Sequence, residues 1–190
     1  MKRILFLCAL TLCNLTITAQ ENGNNNPKEE KITSTSKAVE FSSSSGTLIT
    51  KDFYDLPKVK SVECQVLIMT DVIKTEKIGC LRLITYYKSS YSNDTYIGTL
   101  DYEELDACIQ SLTYIKEQLL PSTPTVYTET EFKTLDGVKL GAFYSKNKWT
   151  AYVYTKGYTS RSAEYFNSSN IEDLISVMVQ AKTMIEEKTK

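Results

Sequence analysis

The sequence predicts an α+β fold, mainly antiparallel sheet with two helices, from three observations. Two stretches carry apolar residues at helical three- and four-residue spacing, Asp101–Leu120 and Asn170–Lys188. Between and before them run segments that alternate apolar and polar residues, the period of a half-buried strand. Turn signals separate these segments at short intervals, so consecutive strands pair as hairpins and loops stay short. Strands followed by a helix occur twice, over roughly 46–120 and 124–190, which reads as an internal duplication of a strand-rich unit ending in a helix.

The chain begins differently. Lys2 and Arg3 precede the apolar run Ile4–Leu12, and Thr18-Ala19 offers a small residue before Gln20. These are the parts of a secretory signal peptide over 1–19, and the run is too short for a good membrane anchor. Neither Cys8 nor Cys13 follows the small residue of a lipid-attachment site, so the expected product is soluble, periplasmic or extracellular. From Gln20 to Ser45 the chain is rich in Asn, Ser and charge and poor in large apolar residues, the composition of a flexible linker. The Thr18-Ala19-Gln20 signal end and the Asn/Glu-rich tether resemble the small exported proteins of unknown function found in bacteria of the Bacteroides group. That resemblance covers the first forty-odd residues and implies no activity.

Gly46 opens a single predicted domain, 46–190. Residues 47–53 form a first strand, and Pro57 separates it from a longer strand over Val62–Ile73. In the latter Val62, Cys64, Val66 and Ile68 share one face. Four turn residues, Lys74–Lys77, return the chain as Ile78–Lys88, which places Leu81 and Leu83 beside Val66 and Cys64. A loop over Ser89–Asp94 and a short strand over Thr95–Thr99 lead into the first helix.

Asp101 stands before that helix with Glu104 three residues on, the spacing of a capping box. Leu105, Cys108, Ile109, Leu112, Ile115 and Leu119 form its stripe, and Pro121 stops it. Beyond Pro124 come a strand over Val126–Leu135, the Asp136-Gly137 turn, a strand over Val138–Tyr144, a two-residue turn at Lys146-Asn147, and a strand over Lys148–Tyr158. That turn pairs Tyr144 with Trp149, Ala142 with Ala151 and Leu140 with Val153, an apolar core face. A short strand over Arg161–Ser168 precedes the second helix, with Asn170 as cap and Leu174, Val177, Met178, Ala181, Met184 and Ile185 as stripe. Each helix is expected to lie over a sheet.

Composition removes several chemistries. The chain has no histidine, which excludes a Ser-His-Asp triad, a Cys-His pair and histidine zinc sites. Signal cleavage would take two of the 22 basic residues and none of the 23 acidic ones, moving the formal charge from −1 to about −3. Without a basic stripe, nucleic acid is not an expected partner. Cys64, Cys80 and Cys108 lack Cys-x-x-Cys spacing and read as small apolar core residues. No cofactor, metal or catalytic residue is assigned. The carboxylate pairs Glu103-Glu104 and Glu172-Asp173 fit first-turn positions favoured by the helix dipole.

Thirteen tyrosines are the compositional oddity. Opposite the core face of the later hairpin lie Phe143, Tyr152 and Tyr154, and the earlier hairpin adds Tyr86 and Arg82. Whether Phe132 joins them depends on a bulge at the Asp136-Gly137 turn. Tyrosine offers broad contact area with a hydroxyl attached, so these five residues are the candidate binding surface for carbohydrate, peptide or an envelope protein. The leading expectation is a non-enzymatic binding module, which includes an inhibitor or chaperone-like partner of another envelope protein. The alternative is a carboxylate-based hydrolase of polysaccharide or cell-wall material.

Overall fold

The structure is a computed structural model in which residues 35–190 are described. The expected signal peptide, and the greater part of the expected linker, lie outside the described residues. Two four-stranded antiparallel meanders make up the domain. The first holds β1 (Ile49–Val59), β2 (Val62–Asp71), β3 (Lys77–Lys88) and β4 (Asn93–Asp101) in sequential order, and the second holds β5 (Thr128–Lys133), β6 (Lys139–Ser145), β7 (Lys148–Tyr154) and β8 (Ala163–Phe166) in the same way. Three helices accompany them: α1 (Lys37–Ser42), α2 (Tyr102–Tyr114) and α3 (Ser168–Thr189). The α+β class, with each meander ending in a helix, is as the sequence predicts.

Hairpin registers follow the apolar pattern. Cys64 faces Leu83 and Val66 faces Leu81. Tyr144 faces Trp149, Ala142 faces Ala151 and Leu140 faces Val153, across a turn in which Lys146 and Asn147 both have positive φ. Two adjacent positive φ values match the twist of a two-residue hairpin.

Pro57 does not separate two strands as expected. It lies inside β1, the edge strand, beside a register shift between Leu56 and Val59. An edge position needs no N–H toward a neighbour, so proline is tolerated there.

α2 stops being α-helical at Tyr114, and Ile115–Leu119 continues as a π turn closed by the Leu120 N–H donating to Ile115 O at 2.9 Å. Pro121 then ends it. α3 starts earlier than expected: Asn167 is its cap, and Asn170 is the third helical residue, reaching back to the Asn167 N–H at 3.3 Å. Glu172 and Asp173 therefore lie beyond its first turn.

The core-side residues of both sheets and of α2 and α3 form one continuous cluster, including Val66, Leu81, Leu105, Leu112, Leu140, Val153, Leu174 and Met178. However, α3 does not cover its own meander. It runs over the first sheet. Ile185 packs so close to Gly79 of β3 that a Cβ there would stand 2.6 Å from Ile185 Cγ2, and Lys188 lies over the Tyr54 ring of β1. α2 packs beside α3, where the Tyr102 hydroxyl donates to Glu186 at 2.6 Å and Lys182 holds Asp106 at 2.7 Å.

The linker was expected to reach Ser45, yet its last turn is built into the domain. Asp101 explains this. Its carboxylate accepts from Ser36 Oγ at 2.8 Å, the Lys37 N–H at 2.7 Å and the Ala38 N–H at 3.1 Å, and so holds the start of α1. The expected capping box is also present, with Glu104 accepting the Asp101 N–H at 2.9 Å. With Ala38 buried, α1 covers Leu67, Met69 and Cys80 on the outer face of the first sheet, a second small apolar cluster.

The turn joining β5 and β6 fixes the second sheet to the first. Asp136 accepts from the Thr99 N–H and hydroxyl, both at 2.9 Å, and pairs with Lys156 at 3.0 Å. The other oxygen of Glu104 accepts the Leu135 N–H at 2.7 Å. Gly98 of β4 is pressed against Thr155 O and Val138 with no room for a side chain.

Candidate functional site

The candidate residues separate onto two sheets. Phe143, Tyr152 and Tyr154 lie on the outer face of the second sheet, and Tyr86 and Arg82 on the outer face of the first. Arg82 lies over the Phe53 ring, 4.9 Å from its centroid, and donates to Gln65 at 3.0 Å. The Tyr86 hydroxyl donates to Glu63 at 2.7 Å. Among the described residues, no hydrogen bond, ion pair or ring contact joins this pair to the other three.

On the second sheet the three residues belong to a larger cluster. Tyr165, opposite Tyr152 on β8, and Tyr127, just before β5, complete a row of five rings. Phe143 stands at its centre, 6.4 Å from Tyr127 in a stacked arrangement with 25° between planes, and 6.4 Å from Tyr165 edge-on at 90°. Tyr152 and Tyr154 meet edge to face at 5.2 Å. The outcome is a shallow angle: Tyr127 and Phe143 as floor, Tyr165 as wall. Tyr127 is 64% exposed and Tyr165 44%, whereas Tyr152 is only 3% exposed because its ring crosses Gly141 to reach β5.

Phe132 does not join this face. It pairs with Leu140 and packs on the core side.

Glu129 organises the edge of the ring row. Its two oxygens accept the Tyr152 hydroxyl at 3.0 Å and the Tyr127 hydroxyl at 2.8 Å. Burial, then the bond to Glu129, pushes the Tyr152 phenol far above its ordinary value. The Tyr154 phenol is pushed up to about 12, chiefly by the hydrogen bond with the Tyr165 hydroxyl at 3.2 Å. These phenols are neutral hydrogen-bonding groups at neutral pH, poorly suited to act as bases or nucleophiles.

The helix carboxylates are engaged elsewhere. Glu103 pairs with Lys37, and Lys116 holds Glu172 at 2.9 Å. Burial raises the Glu104 pKa against the lowering effect of its two backbone N–H bonds. Cys64, Cys80 and Cys108 are unpaired and buried, each thiol pushed up to about 12 by desolvation. No group of three cysteine, aspartate or glutamate side chains among the described residues is placed to hold a metal ion. Among those residues no helix is long and apolar enough to cross a membrane.

Two clefts flank the second sheet. One, of about 650 Å³, opens at the β6–β7 turn between Trp149, Pro121, Lys60 and Asn170. The other, of about 550 Å³, runs between β5 and α2, with Thr130, Glu131 and Phe132 on one side and Ala107, Gln110, Ser111 and Tyr114 on the other. The four helical positions recur at three- and four-residue steps, so one face of α2 looks onto the strand. Sequence reasoning passed over this groove, because Ala107, Gln110 and Ser111 read as the solvated side of the helix. It also passed over Tyr165, although alternation from Phe166, once that residue is placed in the core, identifies it.

Comparison of the chain with protein-family models, with characterised proteins and with solved structures finds no match.

Proposed function

We propose that the chain is an exported, non-enzymatic module that binds a partner through the outer aromatic face of its second sheet. One observation carries the reading. Five rings gather on a face that points away from the shared core, and the most exposed of them, Tyr127 and Tyr165, stand on either side of Phe143. A monomeric domain gains little by holding two tyrosines half in water, whereas aromatic side chains with free or shared hydroxyls suit a binding surface. The aromatic row has breadth rather than depth, which favours a macromolecular surface over an enclosed small ligand. Absence of histidine and the engaged state of the helix carboxylates agree with a binding role.

The test compares the chain with a Tyr127→Ser, Tyr165→Ser double variant. Both are immobilised and exposed to envelope extract and to a panel of soluble polysaccharides. A partner retained by the original chain and lost by the double variant, at unchanged circular dichroism, supports the reading. Identical capture by both overturns it. Export is tested separately by N-terminal sequencing of material recovered outside the cytoplasm, where a chain starting at Gln20 is expected.

A further inference from the structure

The geometry points to a second binding site, next to the aromatic face and sharing Glu129 with it: an edge-strand groove that takes an extended peptide segment of alternating basic and apolar residues, added as a fifth strand beside β5.

β5 is the first strand of its sheet, and among the described residues nothing pairs with its outer edge. Thr130 O lies against Gly141 of β6 and accepts the Tyr152 hydroxyl at 3.4 Å, so Thr130 turns its backbone groups inward to the sheet. Backbone direction alternates along a strand, so Glu129 and Glu131 turn their N–H and C=O groups to the open edge. None of the hydrogen bonds outside the sheet ladders uses those backbone groups. They are a ready template for another chain.

Beside that edge lies the groove of about 550 Å³. Its wall is the α2 face carrying Ala107, Ser111 and Tyr114, extended by Ile115 and Leu119 of the π turn. Helix and edge strand thus frame a trough in which one side of an added strand would rest on Phe132, Ile115 and Leu119. Burial of apolar side chains there supplies affinity, and pairing with Glu129 and Glu131 sets register.

The opposite side of the added strand would meet carboxylates. Glu129 and Glu131 both project from the outer face of β5, opposite the uncharged Phe143 and Gly141, with Lys133 at the strand's end opposite Lys139. Glu129 has hydroxyl partners only, and Glu131 is matched by Lys139 at 2.9 Å. Lysine or arginine at every second position of the incoming strand complements that row. Antiparallel self-pairing of β5 fits less well: centred on Glu131 it sets that glutamate against its copy, with only the flanking Glu129–Lys133 pairs favourable, and centred on Thr130 it sets Glu129 against Glu131.

The experiment titrates the full chain, labelled for amide NMR, with a capped heptapeptide of alternating lysine and valine. A control peptide carries glutamate in place of lysine. The expected result is shift changes confined to Glu129–Lys133 and the groove face of α2, with little or no response to the acidic peptide. Glu131→Pro removes an edge-facing N–H while leaving the ladder to β6 intact. It should weaken the basic peptide at least about tenfold, as should Ala107→Arg, which fills the groove from an exposed helical position. Tyr165→Ser, which touches neither Glu129 nor the groove, should bind as the original does, which separates this site from the exposed rings. Should Glu131→Pro unfold, Ala107→Arg decides. Equal binding of the acidic peptide, shifts centred elsewhere, undiminished binding by a folded groove variant, or concentration-dependent dimerisation through β5 would each overturn the proposal.

Discussion

Asp101→Asn should release α1 while leaving both sheets folded. The carboxylate of Asp101 accepts three hydrogen bonds, two of them from backbone N–H groups at the start of α1. Bonds to a charged group contribute about 1.5–3 kcal/mol each, and asparagine keeps one acceptor while turning an NH2 group toward the remaining donors. A loss of about 2–4 kcal/mol follows. The other attachments of α1 are small: one buried methyl at Ala38, a partly covered Phe41, and an exposed Lys37–Glu103 pair. Ordering each residue of a six-residue helix costs about 1–2 kcal/mol, so these attachments cannot hold it alone. Hydrogen exchange of the Glu40 and Ser43 amides, which bond within α1, should accelerate about a hundredfold at tenfold per 1.4 kcal/mol, while amides of β2 and β3 keep their protection. Cys80 gives an independent readout. It lies under α1 and should become accessible to a thiol reagent in the variant, whereas Cys64 and Cys108 stay closed. Unchanged exchange across residues 37–45, with Cys80 still protected, would refute the reasoning.

Other outcomes follow from the same contacts. In the native protein all three thiols should resist a thiol reagent at neutral pH and react together on unfolding, followed by absorbance, because burial pushes each up to about 12. The Lys74 N–H, with that of Ile73, holds the Asp71 carboxyl below its ordinary value. A depressed folded pKa gives stability that is present above the unfolded value and lost as pH falls through the folded one. The difference in melting temperature between the chain and Asp71→Asn should therefore shrink as pH is lowered below the usual aspartate range. Gly98→Ala should cost about 1–3 kcal/mol in denaturant unfolding, since the new Cβ must displace backbone at Thr155. Thr130 Oγ1 is buried without a partner, so Thr130→Val should be neutral or stabilising by about 1 kcal/mol in the same assay.

The parts of the fold visible in the sequence are those set by near neighbours. Register at Val66–Leu81 and at Ala142–Ala151 follows from alternation plus turn length, and both are local. The stripes of α2 and α3 show which side of each helix is apolar, but an apolar stripe carries no address. Leu174 and Ile185 could have covered either sheet, and only the close approach at Gly79 decides for the first. A second role of Asp101 was hidden for the same reason. Its spacing to Glu104 announces the capping box that forms, but its carboxylate also takes donors some 64 residues earlier, which no local pattern announces. Of the candidate surface, Phe143, Tyr152 and Tyr154 were legible as one face of one hairpin. Tyr165 and Glu129 come from strands whose register was open, and Tyr86 and Arg82 share only a residue type with the rest.

The placement of α3 has a kinetic consequence. The first meander is complete by Asp101, but the helix that shields its inner face, α3, begins only at Ser168 and is made well after it. A nascent chain halted at Pro121 therefore holds four strands with an uncovered apolar side and only α2 to offer them. Contacts between segments far apart in sequence close late and slow folding. Such a chain cannot close its core until α3 has been made, and in that interval its apolar face is open to chaperones.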